Sequence, residues 1–186
     1  MLEPIVNLDI NLLYYINSIN YHLLNILMVF ITNTTYLFIL LVMALLFFKN
    51  REVFLNIFIV MALIAITAYA LKYGINEPRP YFVLDNLHVL VPMENEPSFP
   101  SGHTTFAFGL WCAITLNLKK MNIKKELNMT VPLVLLIWAF LVAFSRVYVG
   151  AHYPHDVIGG MILGVVGALI YTKIIPDKIL KNTVFS

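Results

Sequence analysis

The stretch LIWAFLVAFSRVYVGAHYPHDVIGGMILGVVGALI, residues Leu136 to Ile170, decides the fold of this chain. Two apolar runs flank a short polar segment, which carries Arg146, His152 and Asp156. Apolar runs of this kind are typical of helices that cross a bilayer, where about 20 residues are needed per crossing. The stretch therefore predicts two spanning helices whose connection holds ionisable side chains.

The composition of the whole chain gives the same indication. Its 186 residues are 60% hydrophobic and 12% charged, whereas ordinary soluble domains are about 25% charged. So much apolar surface on a chain this short predicts an all-α membrane protein, with residues 1–186 forming one domain. The net charge of +2 does not favour nucleic acid as a partner. A single cysteine, Cys112, excludes an internal disulfide framework and a multi-cysteine metal site.

Charged residues mark the ends of the predicted spans. The run between Asp9 and Lys49 contains no Asp, Glu, Lys or Arg, and it has two interpretations. It is long enough for two spans with a turn near residues 33–35, or for one span over about 23–48 preceded by a helix on the membrane surface. The prediction is therefore a bundle of five to six spans. Four of the spans are clear, at roughly 53–72, 103–119, 131–148 and 155–173.

The distribution of basic residues predicts the orientation. Alternation of the spans places the linkers 49–51 and 119–125 and the tail from 173 on one side, with nine of the twelve basic residues. The positive-inside rule assigns that side to the cytoplasm. Lys72, Arg79 and Arg146 then fall on the opposite, extracytoplasmic face of a multi-pass cell-membrane protein.

Three polar segments converge on that outer face, because alternation brings their ends together. They are KYGINEPRP at 72–80, PSGHTT at 100–105 and SRVYVGAHYPHD at 145–156. Together they supply three cations suited to phosphate oxygens, namely Lys72, Arg79 and Arg146. Lys72 or Arg146 alone, at a helix end, could instead be an anchor that extends its charge to the membrane surface.

The middle segment has the features of an anion site at the start of a helix. Ser101 follows a proline and precedes an apolar run, so we expect it to cap the helix. Gly102 lets the backbone approach a ligand closely, and free N–H groups at a helix start attract anions. His103 lies in the first helical turn, within reach of a ligand bound there.

The last segment predicts a histidine held by a carboxylate. His152 and Asp156 are four residues apart, and the carboxylate can hold one ring nitrogen and leave the other free as a nucleophile. A structural hydrogen bond or half of a metal site are the alternatives for this pair. The remaining histidines and nearby loop acids are interpreted as structural or solvated: His22, His88, His155, Glu77, Glu94 and Glu96.

The three segments resemble, in order and in spacing, the motifs of the type 2 phosphatidic acid phosphatase (PAP2) superfamily, which also includes the vanadium haloperoxidases. The first motif is Lys, six residues, Arg-Pro, and it corresponds to residues 72–80. The second is Pro-Ser-Gly-His at 100–103. The third is Ser-Arg, five residues, His, three residues, Asp at 145–156. No motif position departs from the pattern.

The resemblance implies a six-helix membrane core and hydrolysis of a lipid phosphomonoester or diphosphate at the outer leaflet, without metal or cofactor. It implies that His152 attacks phosphorus to form a phosphohistidine, that Asp156 orients His152, and that His103 protonates the leaving oxygen. The implied phosphate-binding residues are Lys72, Arg79, Ser101, Gly102 and Arg146. Polyprenyl diphosphate, such as undecaprenyl diphosphate, is the first candidate substrate, before phosphatidic acid and phosphatidylglycerol phosphate.

Other functions use the same residues. A transporter or channel could use His103, His152 and Asp156 as a proton or cation relay, although the cluster lies at one face and does not continue inward. A haloperoxidase is disfavoured by the apolar composition, because that branch of the superfamily is soluble. The sequence leaves the oligomeric state open.

Overall fold

A computed structural model describes residues 3–121 and 124–174 of the chain, and every regular element in these ranges is helical. A short 3-10 helix covers Leu118–Met121. The α-helices of the described residues are α1 (Glu3–Asn17), α2 (His22–Lys49), α3 (Arg51–Ile75), α4 (Pro80–Val83), α5 (Gly102–Asn117), α6 (Leu127–Tyr148) and α7 (Pro154–Ile174).

Four of these helices are long and apolar enough to cross a membrane: α2, α3 with its continuation to Val83, α6 and α7. Their outward faces carry exposed large apolar side chains, such as Leu40 and Ile137, as expected for helices that contact lipid. The fifth long helix, α5, has 16 residues and is largely buried. It packs against α2, α3, α6 and α7 and forms the centre of the bundle.

Within the run between Asp9 and Lys49, the residues from His22 onward form one continuous long helix, and the alternative with a turn near residues 33–35 is wrong. The hydroxyl groups of Thr34 and Thr35 donate to carbonyl oxygens one turn back, with O–O distances of 2.7 and 2.9 Å. The polar side chains are thus satisfied without a break in the helix. A separate helix, α1, precedes α2 and packs against α6 and α7.

The two short linkers that the sequence assigns to the cytoplasm lie together at one end of the bundle. The side chain of Asn50 caps α3 by accepting from the N–H of Val53 at 3.1 Å, and it donates to the carbonyl oxygen of Lys120 at 2.9 Å. Of the basic tail residues assigned to the same side, Lys178 and Lys181 lie outside the described residues.

Close contact between α5 and α7 depends on glycine. A Cβ atom at Gly164 would lie 2.4 Å from the carbonyl oxygen of Thr105, and one at Gly160 would lie 2.8 Å from that of Ser101. Because glycine has no side chain, the backbones of α5 and α7 can lie in direct contact at these positions. The approach also joins the helix starts, because the N–H of Ser101 donates to the carbonyl oxygen of Asp156 at 3.1 Å.

The connection from α4 to α5 folds back over the opposite end of the bundle. Asn17, which is buried at the end of α1, donates to the carbonyl oxygens of His88 and Tyr148 and accepts from the N–H of His88. Gly150 adopts a φ of +74° next to this contact, where a Cβ would lie 3.2 Å from the carbonyl oxygen of His88. The connection is thus fixed over the ends of α1 and α6.

Candidate active site

A polar cavity of about 430 Å³ lies at the end of the bundle opposite the two short linkers, and the three polar segments meet around it. Five predicted site residues line it, namely Lys72, Arg79, Gly102, His103 and His152. The other lining residues are Tyr36, Tyr69, Glu94, Asn95 and Glu96. The predicted convergence of the segments is therefore present, and both histidines face one cavity.

His152 and Asp156 form the predicted pair. The Nδ1 atom of His152 lies 3.2 Å from Oδ2 of Asp156, and both side chains are buried. The same oxygen accepts from the hydroxyl of Ser98 at 2.5 Å and from the N–H of Tyr153 at 2.9 Å. Because a carboxylate only accepts, Nδ1 carries the hydrogen and Nε2 keeps its lone pair. That free nitrogen lies 3.4 Å from NH1 of Arg79.

The electrostatic surroundings keep the His152 ring neutral. Burial lowers its pKa well below the ordinary value of 6.5, and the positive charges of Arg146, Arg79 and Lys72 lower it further. Desolvation and like charge both disfavour the protonated imidazole. At neutral pH the Nε2 atom is thus available as a nucleophile, which is the state that covalent catalysis requires.

Two predicted phosphate ligands, Lys72 and Arg79, contact the segment 94–97. Lys72 donates through Nζ to the carbonyl oxygen of Pro97. Arg79 donates through Nε to the carbonyl oxygen of Glu96 at 2.9 Å, and its NH2 atom forms an ion pair with Glu94 at 2.5 Å. Glu94 is exposed in a loop, as interpreted from the sequence, but it also forms an ion pair with a cation of the cavity, which the sequence does not indicate.

Arg146, the third predicted cation, is buried next to the lining residues. Its NH1 atom donates to the hydroxyl of Thr32 on α2 at 2.6 Å. Its Nε atom is buried with no hydrogen-bond partner among the described residues. Motif spacing gives no indication of Thr32, because this contact joins residues 114 positions apart.

The start of α5 holds the remaining predicted groups, with one correction. Ser101 occupies the capping position, but its hydroxyl lies 3.1 Å from that of Thr104 and makes no cap hydrogen bond. The expected side-chain cap is therefore absent at this residue. His103 lies in the first turn, its ring centroid 4.4 Å from that of Tyr36. The Tyr36 hydroxyl is 3.5 Å from its Nδ1 atom.

His155, for which the sequence indicates no clear partner, contacts three carboxylates. Its Nδ1 atom lies 2.7 Å from Oδ2 of Asp9 on α1. Its Nε2 atom lies 3.0 Å from Oε2 of Glu77 and 3.4 Å from Oδ1 of Asp156. The interaction with Asp9 joins residues 146 positions apart, so no local pattern indicates it.

An apolar groove of about 640 Å³ adjoins the polar cavity. Tyr36 lines both, and the groove runs along α2 and α3 with Phe106 of α5 at its side. Its other lining residues are Ile39, Leu40, Met43, Ala44, Phe47, Phe48, Phe54, Phe58, Met61 and Ala62. A polar cavity beside an apolar groove can hold an amphiphile with an anionic head.

Comparison with known proteins agrees with this arrangement. A sequence model described as the PAP2 superfamily matches residues 53–180. Undecaprenyl-diphosphatase BcrC of Bacillus subtilis is 36% identical over 52% of this chain, but the match covers only 45% of that protein. An undecaprenyl-diphosphatase of Sulfolobus acidocaldarius is 32% identical over 87% of this chain and 76% of its own length.

The fold is also similar to a solved membrane protein. A crystal structure of a transmembrane PAP2 type phosphatidylglycerolphosphate phosphatase from Bacillus subtilis superposes with a TM-score of 0.78 at 26% identity. The superposition covers 92% of this chain and 86% of that protein. The likeness therefore extends over most of the helices described above.

Proposed function

This chain belongs to the PAP2 superfamily, and we propose that it is an integral-membrane lipid phosphatase. The proposed reaction is hydrolysis of a lipid phosphomonoester or diphosphate through a phosphohistidine. A polyprenyl diphosphate such as undecaprenyl diphosphate is the first candidate substrate, since two similar proteins are named undecaprenyl-diphosphatases. Phosphatidic acid and phosphatidylglycerol phosphate are the other candidates. The transporter alternative gains no support from the family.

The observation that carries this proposal is the junction of the polar cavity with the apolar groove at Tyr36. A lipid phosphate has the same two parts, an anionic head and an apolar chain. The head would lie between His103 and His152, and the chain would leave along α2 and α3. The chain would stay in an apolar environment there, so the head group could enter the polar cavity without exposing the chain to water.

In the first proposed step, Nε2 of His152 attacks phosphorus and a P–N bond forms. The bond from phosphorus to the lipid or lipid-phosphate oxygen breaks, and protonated His103 donates its proton to that leaving oxygen. The negative charge of the bound phosphate favours the protonated form of His103. Asp156 holds Nδ1–H of His152 and offsets the positive charge that develops on the ring.

In the second proposed step, water attacks the phosphohistidine. His103, neutral after the first step, takes a proton from that water, the P–N bond breaks, and inorganic phosphate leaves. His152 recovers its lone pair, and His103 is again protonated. One water is consumed for each phosphate released, and the two histidines return to their starting states.

Charge stabilisation in this reaction would come from the chain's own groups. Phosphoryl transfer depends mainly on positioning and on neutralisation of the equatorial oxygens. Lys72, Arg79 and Arg146 supply three positive charges, and Gly102 brings a backbone N–H group at the start of α5. The N–H of Ser101 is donated to the carbonyl oxygen of Asp156, so this residue would act by holding the start of α5 against α7. Three fixed cations can supply charge that Mg²⁺ supplies in other phosphoryl-transfer enzymes, so we propose hydrolysis without a metal.

We further propose that the polar cavity faces the extracytoplasmic side. The end of the bundle that carries Lys49, Arg51 and Lys120 is opposite the cavity, and the positive-inside rule favours a cytoplasmic location for such residues. The substrate head group would then be processed in the outer leaflet.

The test is phosphate release by purified protein in detergent with EDTA, measured on a panel of lipid monophosphates and diphosphates. We expect activity on at least one lipid, inhibition by vanadate, and loss of turnover in His152→Ala. His22→Ala is the matched control, since His22 is an exposed histidine at the start of α2, and it should retain wild-type turnover. Activity that requires an added divalent metal, or an active His152→Ala variant, would refute the proposal.

A further inference from the structure

His155 is the histidine next to the proposed catalytic aspartate, and its two ring nitrogens each face a carboxylate. Nδ1 lies 2.7 Å from Oδ2 of Asp9 and Nε2 lies 3.0 Å from Oε2 of Glu77. Ionised carboxylates only accept hydrogen bonds, so both ring nitrogens must carry hydrogens. The geometry is therefore that of an imidazolium held between α1 and the end of α3.

The two carboxylate oxygens of Asp156 differ in their hydrogen bonds. Oδ2 accepts from Ser98, from the N–H of Tyr153 and from His152. Oδ1 is buried and has no hydrogen-bond partner among the described residues. It lies 3.4 Å from Nε2 of His155. A buried carboxylate oxygen without a donor is costly, and an adjacent positive charge offsets that cost.

We propose that His155 is a positioning residue for the reaction, which keeps Asp156 ionised and oriented by placing a positive charge against Oδ1. Asp9 and Glu77 in turn hold the imidazolium in place. The inference rests on the proposed phosphatase function, and it extends the catalytic support to α1, which lies outside all three motifs.

A positive charge at His155 matters for the reaction because Asp156 must stay ionised. Only an ionised carboxylate accepts Nδ1–H of His152 and stabilises the positive ring that forms when Nε2 bonds to phosphorus. The charged or titratable groups that face His155 are Asp9 from α1, Glu77 after α3, Asp156 from its own helix, and the ring of Tyr153. Loss of the positive charge would leave three carboxylates around one site, which favours protonation of Asp156.

A divalent cation is the competing occupant of this position. Glu77, His155 and Asp156 offer ligand atoms that all lie within 4.8 Å of one another. A bound cation would also stabilise Asp156, but it would require a lone pair on Nε2 of His155. The two occupants therefore predict different protonation of the ring and different responses to chelation.

The kinetic test compares His155→Gln with His155→Lys and with the control His22→Gln, all in EDTA, over a range of pH. For His155→Gln we expect kcat to fall about tenfold and KM to stay within about twofold of the wild type. The acidic limb of the kcat profile should move up by about one pH unit, which corresponds to a tenfold change in the proton affinity of Asp156. His155→Lys should recover much of that shift because it restores the charge. In Asp156→Asn, the further change His155→Gln should have no additional effect. His22→Gln should match the wild type throughout.

In the kinetic test, a His155→Gln profile that coincides with the wild type, or a loss confined to thermal stability, would overturn the inference. Histidine-selective 15N NMR of the wild type gives a test that does not need turnover. At pH 7.5 we expect a doubly protonated ring signal that His155→Gln removes, and a neutral or metal-bound signal would contradict the imidazolium. Wild-type protein inactive on every lipid phosphate would instead refute the proposed function, with the NMR result still deciding the state of His155.

Discussion

Thr32→Val tests the hydrogen bond between Thr32 and Arg146, a contact that the sequence motifs do not reveal. The substitution replaces a hydroxyl by a methyl group of nearly the same shape, so the packing of α2 changes little. It removes the acceptor that lies 2.6 Å from NH1 of Arg146. Because Nε of the same guanidinium already has no hydrogen-bond partner among the described residues, the side chain loses a principal constraint on its orientation.

The magnitude follows from the kind of bond that is lost. A hydrogen bond to a charged group contributes about 1.5–3 kcal/mol, and each 1.4 kcal/mol corresponds to about a tenfold change. If Arg146 binds the transferred phosphate, misorientation of its donors should lower kcat/KM by about 10- to 150-fold. The upper value applies when the full free energy of the bond is lost from the transition state.

The assay is phosphate release from the preferred lipid in detergent, together with the thermal midpoint of each variant. Thr35→Val is the matched control, because Thr35 is also buried on α2 but donates only to its own helix at Ile31. Thr32→Ser keeps the hydroxyl and should retain most of the activity. Equal kcat/KM for Thr32→Val and Thr35→Val, both within twofold of the wild type, would refute the role assigned to Arg146.

Three further predictions concern packing, substrate access and pH. Gly164→Ala should lower the free energy of unfolding by more than the roughly 1–3 kcal/mol typical of overpacking, because its Cβ would lie 2.4 Å from a backbone oxygen of α5. The control Gly74→Ala, whose Cβ would have nothing within 4 Å, should keep the wild-type thermal midpoint. Equal midpoints for the two variants would contradict the close contact of α5 and α7. Glu94→Gln should lower KM by about two- to fivefold, the range for a half-exposed ion pair, because substrate no longer displaces a carboxylate from Arg79; an unchanged KM would argue against that competition. The pKa of His152 is lowered in the folded state from its ordinary value of 6.5. Below pH 6.5 the unfolded chain therefore binds a proton at this ring that the native chain does not. The free energy of unfolding should thus fall by about 1.4 kcal/mol per pH unit on acidification. Thermal unfolding of His152→Asn should show a flatter dependence on pH, and parallel curves would count against a neutral buried ring.

Much of the site could be predicted from the sequence because its chemistry is encoded in short spacings. His152 and Asp156 are four residues apart, and the chain between them is too short to separate a ring from a carboxylate across the bundle. Lys72 and Arg79 flank one helix end, so alternation of the spans assigns them to the same face as His103. Each of these placements depends on local geometry and on the length of an apolar helix.

The parts that could not be predicted depend on contacts between distant segments. The Thr32 hydroxyl that holds Arg146, the Glu94 carboxylate on Arg79 and the Asp9 carboxylate on His155 have no periodicity or motif that points to them. The choice between one span and two over the run between Asp9 and Lys49 was also open, since both alternatives satisfy the same composition.

The sequence by itself determined that this chain is a helical membrane protein with three motifs at one face, because apolar length and residue spacing are properties of the chain read in order. Only the tertiary structure decided which partner each charge has. Packing of α5 on α7 through glycine, and of α1 against both α6 and α7, sets those distances. Electrostatic and hydrogen-bond energies depend on distance in space, and separation along the chain does not fix it.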